Sequence, residues 1–323
     1  MGDHAPRDRP VSFVQAGYQR HSLHRDRQHY LETCLKNDSA LLLFVYDRKV
    51  ALCKSDDGFV AALLDPSAIR RERRETLSAV FLGEYLDRPV FSITCDEHPR
   101  HLLSLGSPAL MFFELRKATA LLDPESASLL GYAMAMDHWH RNHRYCGVCG
   151  NPTEPSESGH MRTCTNRDCA QKHFPRTDPA VIVLVVDGEQ SCLLGRKREW
   201  PDRRYSTIAG FVEPGETPEQ AVIREVFEET GTTVRQPRYY QSQPWPFPGS
   251  LMLGFYATAR RGEVHLFDNE LQDARWFTRE EIIDWVSTGR LRLPTRISIA
   301  YRLIESWFER ADVPTLDSLN PDS

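Results

Sequence analysis

From residue 40 to 115 the apolar positions come in short runs: LLLFVY (41–46), KVALC (49–53), FVAALL (59–64), AVFLG (79–83), VFSIT (90–94) and LMFFEL (110–115). Gly, Asp and Pro separate them, which predicts strands joined by turns. A helix follows, with Asp123 as its cap, Pro124 in its first position and Leu129, Leu130, Ala133, Met134 and Trp139 along it. Near residue 144 the pattern lapses into a stretch rich in Gly, Pro, Ser and Cys. It resumes as an α/β alternation. VIVLVV (181–186), CLLGRK (192–197), MLGFYATA (252–259) and ARWF (274–277) predict strands. A helix near 218–230 and two amphipathic helices, REEIIDWV (279–286) and SIAYRLIESWF (298–308), complete the set. The expected organisation is a β-rich α+β domain over 1–143, a cysteine-rich module over 144–176 and an α/β domain over 177–315. No internal repeat is visible.

Composition adds bounds. With 323 residues, 41% hydrophobic and 26% charged, this is the profile of a globular chain with several domains. A net charge of -5 argues against a broad nucleic-acid-binding surface, though not against a local basic groove. The longest apolar run, Ala40 to Tyr46, is too short to cross a bilayer, and no membrane association is expected. The leader MGDHAPRDRP has no apolar segment and is expected to be disordered, so a cytosolic location is the default.

Four of the eight cysteines, Cys146, Cys149, Cys164 and Cys169, cluster; Cys34, Cys53, Cys95 and Cys192 are scattered and expected to be small buried hydrophobes. Two tight pairs around a hairpin-sized insert form a zinc-ribbon arrangement, with four thiolates leaving no open position on one structural Zn²⁺. The second pair, with four intervening residues, is looser than the first. His160 and His173 are expected on the surface.

REVFEETG (224–231) carries Glu225, Glu228 and Glu229 within two helical turns. Thr217-Pro218-Glu219-Gln220 is a capping box and Gly231 a left-handed C-cap, so the helix should run from about 218 to 230. At about 100° per residue, Ile223, Val226, Phe227 and Thr230 share one face and the three glutamates fall on the other. Gathered carboxylates repel one another unless hard divalent cations such as Mg²⁺ or Mn²⁺ sit among them. Arg224 lies beside that face and can tie Glu216 of the preceding glycine-bearing loop to the helix.

From Gly210 to Gly231 the pattern is G-x5-E-x7-R-E-V-F-E-E-T-G, which resembles the signature box of the Nudix hydrolases. Thr232 stands where the family prefers an aliphatic residue, at a packing position. The resemblance implies an α/β/α sandwich on a mixed sheet. It implies that Glu225, Glu228 and Glu229 hold two or three Mg²⁺ or Mn²⁺ ions for in-line water attack on a diphosphate, and that Glu228 or Glu229 takes the water's proton. Gly210, Glu216, Arg224 and Gly231 would be structural.

SQPWPFPGS (242–250) presents Trp245 and Phe247 on a proline-stiffened segment suited to stacking on a planar ring, or to plugging a core. It resembles the motif that marks the NADH pyrophosphatase subfamily, whose order of N-terminal domain, zinc ribbon and Nudix domain also matches. That resemblance implies hydrolysis of NADH or NAD⁺ to NMN(H) and AMP, and removal of NAD caps from RNA. It makes Glu270 a further metal ligand, Phe211, Gln243, Trp245, Phe247 and Ser250 candidate substrate contacts, and a homodimer the expected assembly. ADP-ribose, diadenosine polyphosphate or FAD would be the alternative substrates. A nucleotide-sensing regulator with an inactive Nudix domain is disfavoured by the intact glutamates.

Overall fold

The computed structural model describes residues 11–14, 17–25, 30–74, 77–267, 270–311 and 313–319; the leader expected to be disordered lies outside them. The chain forms two compact units. One comprises Phe13–Thr177 and Trp245–Gly249; the other comprises Met1–Ser12, Asp178–Pro244 and Ser250–Ser323.

The first unit holds a seven-stranded sheet of β1 (Tyr18–Gln19), β2 (Leu41–Tyr46), β3 (Lys49–Ser55), β4 (Gly58–Ala61), β5 (Ala79–Tyr85), β6 (Arg88–Cys95) and β7 (Met111–Phe113). The order is β1-β5-β6-β2-β3-β4, with β7 against β3. Strands β2 and β6 are parallel. The helices are α1 (Tyr30–Lys36), α2 (Arg71–Arg74), α3 (Leu115–Thr119) and α4 (Pro124–Asn142). Asp123 caps α4 by accepting from the Ser126 amide at 2.9 Å. The unbroken apolar run of β2 has a physical reason: the strand is buried on both faces. Leu41, Leu43 and Val45 pack with Leu129, Ala133, Met136 and Trp139 of α4, while Leu42 and Phe44 pack with Cys34 and Leu35 of α1. The expected β-rich α+β domain is thus a mixed sheet between helices. The unit continues into a three-stranded cysteine hairpin of β8 (Thr153–Ser156), β9 (Met161–Cys164) and β10 (Lys172–His173).

The second unit is built on β11 (Asp178–Asp187), β12 (Ser191–Lys197), β13 (Ile208–Phe211), β14 (Arg235–Trp245), β15 (Ser250–Thr258) and β16 (Leu271–Thr278). The order is β14-β15-β11-β12-β16, with β13 against β11. Strands β11 and β15 are parallel, whereas β12 and β13 run antiparallel to β11, so the sheet is mixed. Alternation along β11 sorts its side chains between two layers. Val181, Val183 and Val185 face α5 (Pro218–Thr230). Ile182, Leu184 and Val186 pack with α6 (Arg279–Ser287) and α7 (Ile299–Phe308), and α8 (Leu316–Leu319) joins that layer. This is the expected α/β/α sandwich. Strands β13 and β14 are not visible in the hydrophobic pattern. β14 lies at the sheet edge, where Pro237 and Pro244 are tolerated and strict alternation is not required.

No helix among the described residues is long and apolar enough to cross a membrane.

Candidate active site and metal centres

The loop–helix element begins at β13, whose Gly210 pairs with Val181 of β11. Thr217 and Gln220 form both bonds of the capping box, and Gly231 ends α5 at φ 67. The helix rests on the sheet through Ala221, Val222 and Val226; burying each valine stabilises the docking by about 1.5–3 kcal/mol. That seam corrects the expected orientation. Ile223 and Phe227 are exposed, while Glu229 is buried at 1%. Val226 and Thr230 of the expected apolar face are buried, but the helix is turned so that Val222 and Glu229 join them inside in place of Ile223 and Phe227, while Glu228 stays exposed. Phe227 instead meets Phe267, with ring centroids 6.0 Å apart. Thr232 is buried, as a packing position requires.

Inward rotation brings Glu225 against Gly210. A Cβ at residue 210 would lie 1.9 Å from the Glu225 carboxyl carbon and 2.0–2.1 Å from its oxygens, so any other residue would require the Glu225 carboxylate to move from this position. Burial pushes the Glu225 carboxyl pKa up, against the pull of Arg224.

Arg224 is the hub of the loop. Its Nε donates to Glu216 Oε1 at 2.7 Å, and Nη2 donates to Glu216 Oε2 at 2.8 Å and to the Phe211 carbonyl at 2.9 Å. Its Nη1 donates to Glu225 at 2.8 Å and Glu228 at 3.1 Å. The bidentate grip of Arg224, with the Glu213 amide, lowers the Glu216 pKa to about 2.

A second cation, Lys197, stands at the end of β12. Its Nζ lies 3.0 Å from Glu270 Oε2 and 3.8 Å from Glu229 Oε1. Lys197 pairs with Leu271 across a register shift that breaks the β12–β16 ladder at this point. Burial works against its charge, but the hydrogen bond it donates to Glu270 and the field of Glu229 outweigh it, so its pKa is raised. Sequence reasoning missed Lys197; the available signal was a lysine ending a strand that neighbours the segment carrying Glu270.

Glu225, Glu228, Glu229 and Glu270 thus divide between two cations rather than meeting at one point. With Glu216 there are five carboxylates against Arg224 and Lys197, leaving three negative charges. A partly buried, all-oxygen donor set with that surplus fits hard divalent cations.

Phe211 is 60% exposed, next to Gly210. The other candidate substrate contacts have protein neighbours of their own. Gln243 is fully buried. Its Nε2 donates to the Ser12 carbonyl at 3.0 Å and the Ile297 carbonyl at 2.6 Å, while Oε1 accepts from the Ile299 amide at 2.8 Å. It is an internal brace, with its amide committed to the main chain. Trp245 and Phe247 are half-buried against the core of the first unit. Their rings sit 5.1 Å apart and 6.4 and 5.8 Å from Phe13, and the Arg116 guanidinium lies over both, at 5.1 and 4.4 Å. The proline-stiffened aromatics therefore pack on a core while staying partly exposed. Ser250 heads β15, in register with Asp178.

In the hairpin, the Sγ atoms of Cys146, Cys149, Cys164 and Cys169 all lie within 4.8 Å of one another, the one such ligand group among the described residues. The spacings of 3.8 Å for Cys146–Cys169 and 3.4 Å for Cys149–Cys164 suit a tetrahedral ion, since Zn–S bonds of about 2.3 Å imply S···S near 3.8 Å. The wider second pair closes through a turn in which Asn166 accepts from the Asp168 amide at 3.1 Å and, through its carbonyl, from Cys169 and Ala170. His173 places Nε2 3.4 Å from Cys146 Sγ. Contrary to expectation, His160 is buried, with Nε2 bonded to the Phe81 carbonyl at 2.6 Å. Cys34, Cys95 and Cys192 are buried and Cys53 partly so.

Three family models match the chain: the NUDIX domain over 176–296, the NADH pyrophosphatase zinc ribbon domain over 141–174, and the NADH pyrophosphatase-like rudimentary NUDIX domain over 39–139. The NAD-capped RNA hydrolase NudC of Mycobacterium bovis (strain BCG / Pasteur 1173P2) is 45% identical over 251 residues, 75% of this chain and 79% of that protein. The Homo sapiens NAD-capped RNA hydrolase NUDT12 is 41% identical over 197 residues, 58% of this chain and 42% of its own. The ribbon model agrees with the four-thiol cluster, which fits a structural zinc site. Box, ribbon and N-terminal domain together lead to one assignment: the chain belongs to the NADH pyrophosphatase family of Nudix hydrolases.

Proposed function

We propose that this enzyme hydrolyses the diphosphate bond of NADH and NAD⁺, giving NMN(H) and AMP, and the same bond where NAD caps an RNA 5′ end. The observation that carries this reading is the surplus of carboxylate around Gly210 and Arg224 in a chain 45% identical to a NAD-capped RNA hydrolase. Glu225, Glu228, Glu229 and Glu270 would hold Mg²⁺ or Mn²⁺, which when bound neutralises charge on the diphosphate and acidifies a water. Glu228 or Glu229 accepts the proton of the attacking water. Lys197 steadies Glu229 and Glu270 before substrate arrives, and Arg224 keeps the loop on the helix. Phe211 offers an exposed ring for stacking on a substrate base. The working assembly is a homodimer in the cytosol.

Initial rates measured side by side on NADH, NAD⁺, ADP-ribose and NAD-capped RNA, with Mg²⁺ and with Mn²⁺, test the reading. NMN(H) release from NADH, NAD⁺ or capped RNA is expected to exceed cleavage of ADP-ribose; the reverse order would reject it. Sedimentation equilibrium checks the dimer.

A further inference from the structure

The first unit contains a pocket of about 410 Å³ that the proposed reaction does not use. It opens where β5 and β6 meet the end of α4 and the cysteine hairpin, and its volume lies in the range of small-molecule sites. Three arginines line it, Arg141 and Arg144 from the α4 terminus and Arg162 from β9, against one lining carboxylate, Asp96.

These arginines are unequally neutralised. Arg141 is held by Asp137 at 3.0 Å and by Asp96 at 3.1 Å. Arg144 reaches the same Asp96 oxygen at only 3.7 Å. Arg162 has no carboxylate within salt-bridge distance among the described residues. Its guanidinium donates to neutral acceptors instead: Thr153 Oγ1 at 2.7 Å, the Thr153 carbonyl at 2.7 Å and His140 Nδ1 at 2.9 Å. His140 cannot supply the missing charge. Its Nδ1 accepts from Arg162 and its Nε2 donates to the Gly159 carbonyl at 2.8 Å, which fixes a neutral imidazole. Those bonds use three of the five N–H groups of Arg162 and leave two over.

A half-buried guanidinium without a counter-ion is unfavourable unless an anion completes it. Arginine's planar fork matches phosphate oxygens. The pocket exceeds what a bare phosphate needs, and Tyr145 lines it as an aromatic that is 68% exposed.

We propose that this pocket binds a nucleotide, with the phosphate between Arg144 and Arg162 and the base against Tyr145. The nucleotide is either free or one unit of an RNA strand, since both present the same phosphate and base.

Arginine footprinting with phenylglyoxal and peptide mass mapping on the full zinc-loaded chain tests this, with AMP in one arm and a short 5′-hydroxyl RNA in the other. Neither probe contains a diphosphate bond, so the result is independent of whether NAD is the substrate. Protection of Arg144 by AMP identifies a free-nucleotide site; protection by the RNA alone identifies a strand contact. In either case Arg144→Glu should weaken binding of the protecting probe about tenfold, the loss expected for one charge-assisted phosphate contact. Unchanged Arg144 reactivity with both probes would overturn the proposal, whatever else on the chain they protect.

Discussion

Acid should loosen the cysteine hairpin from the N-terminal sheet before it disturbs the Nudix unit, because two histidines there are held as neutral bases. His160 bonds the Phe81 carbonyl of β5, and His140 on α4 bonds the Gly159 carbonyl and accepts from Arg162. Burial, joined for His140 by the charge of Arg162, lowers both pKa values to about 4. An unfolded histidine titrates near 6.5, so below that pH the unfolded chain binds the proton that the folded one refuses. Stability is therefore complete above about pH 6.5 and lost as the pH falls toward 4. At pH 5 the linkage comes to about 2 kcal/mol per histidine, or about 4 kcal/mol for the pair. That corresponds to roughly a thousandfold fall in amide protection for opening of this unit. Hydrogen exchange at pH 7.5 and 5.0, corrected for intrinsic rates, should show the loss in peptides of β5, β8 and β9 while α7 keeps its protection. A His140→Gln/His160→Gln variant, whose amides retain a donor and an acceptor, should flatten the response; any acid effect acting through the thiols would persist in it. Equal protection at the two pH values, or an undiminished response in the double variant, would refute the linkage.

Three further outcomes are expected. Glu229→Gln keeps the buried volume but removes the charge beside Lys197; kcat on NADH should fall by about two orders of magnitude or more, the usual worth of a catalytic acid or base, with an unchanged circular dichroism spectrum, and near-normal turnover would sink the metal-ligand and base assignment. Gly210→Ala sets a methyl group on the Glu225 carboxylate; turnover should fall while α5 remains folded, and wild-type kinetics would show that Glu225 does not need that space. Elemental analysis should find one zinc per chain, reduced by Cys149→Ser, and zinc-free protein from metal-supplemented growth would contradict the ribbon.

What was legible in the sequence was local. Thr217, Gln220 and Gly231 define α5 because a cap is a matter of three or four residues. The cysteine spacings define the thiol cluster for the same reason. Orientation was not legible. A helical wheel counts Ile223, Val226, Phe227 and Thr230 as core; Val226 and Thr230 are buried, but Ile223 and Phe227 are exposed and Val222 and Glu229 are buried in their place. The inward side of a helix is set by what it packs on, and an active site overrides the rule that charge faces water. The packing of Trp245 and Phe247 was not legible for a related reason. Their stiff, aromatic segment suits either a ligand or a core, and its neighbours Phe13 and Arg116 lie more than a hundred residues away. Lys197 carries no pattern of its own; strand pairing alone brings it to Glu270.

The excursion of Trp245–Gly249 into the N-terminal unit bears on how the enzyme could be trimmed. A fragment starting at Asp178 would keep the entire signature helix yet lose Val11 from its core and the Ser12 carbonyl that Gln243 holds. It would also carry two aromatic rings stripped of Phe13 and Arg116. No single cut yields two whole parts. For this chain the modular order in sequence is not a license to separate the modules.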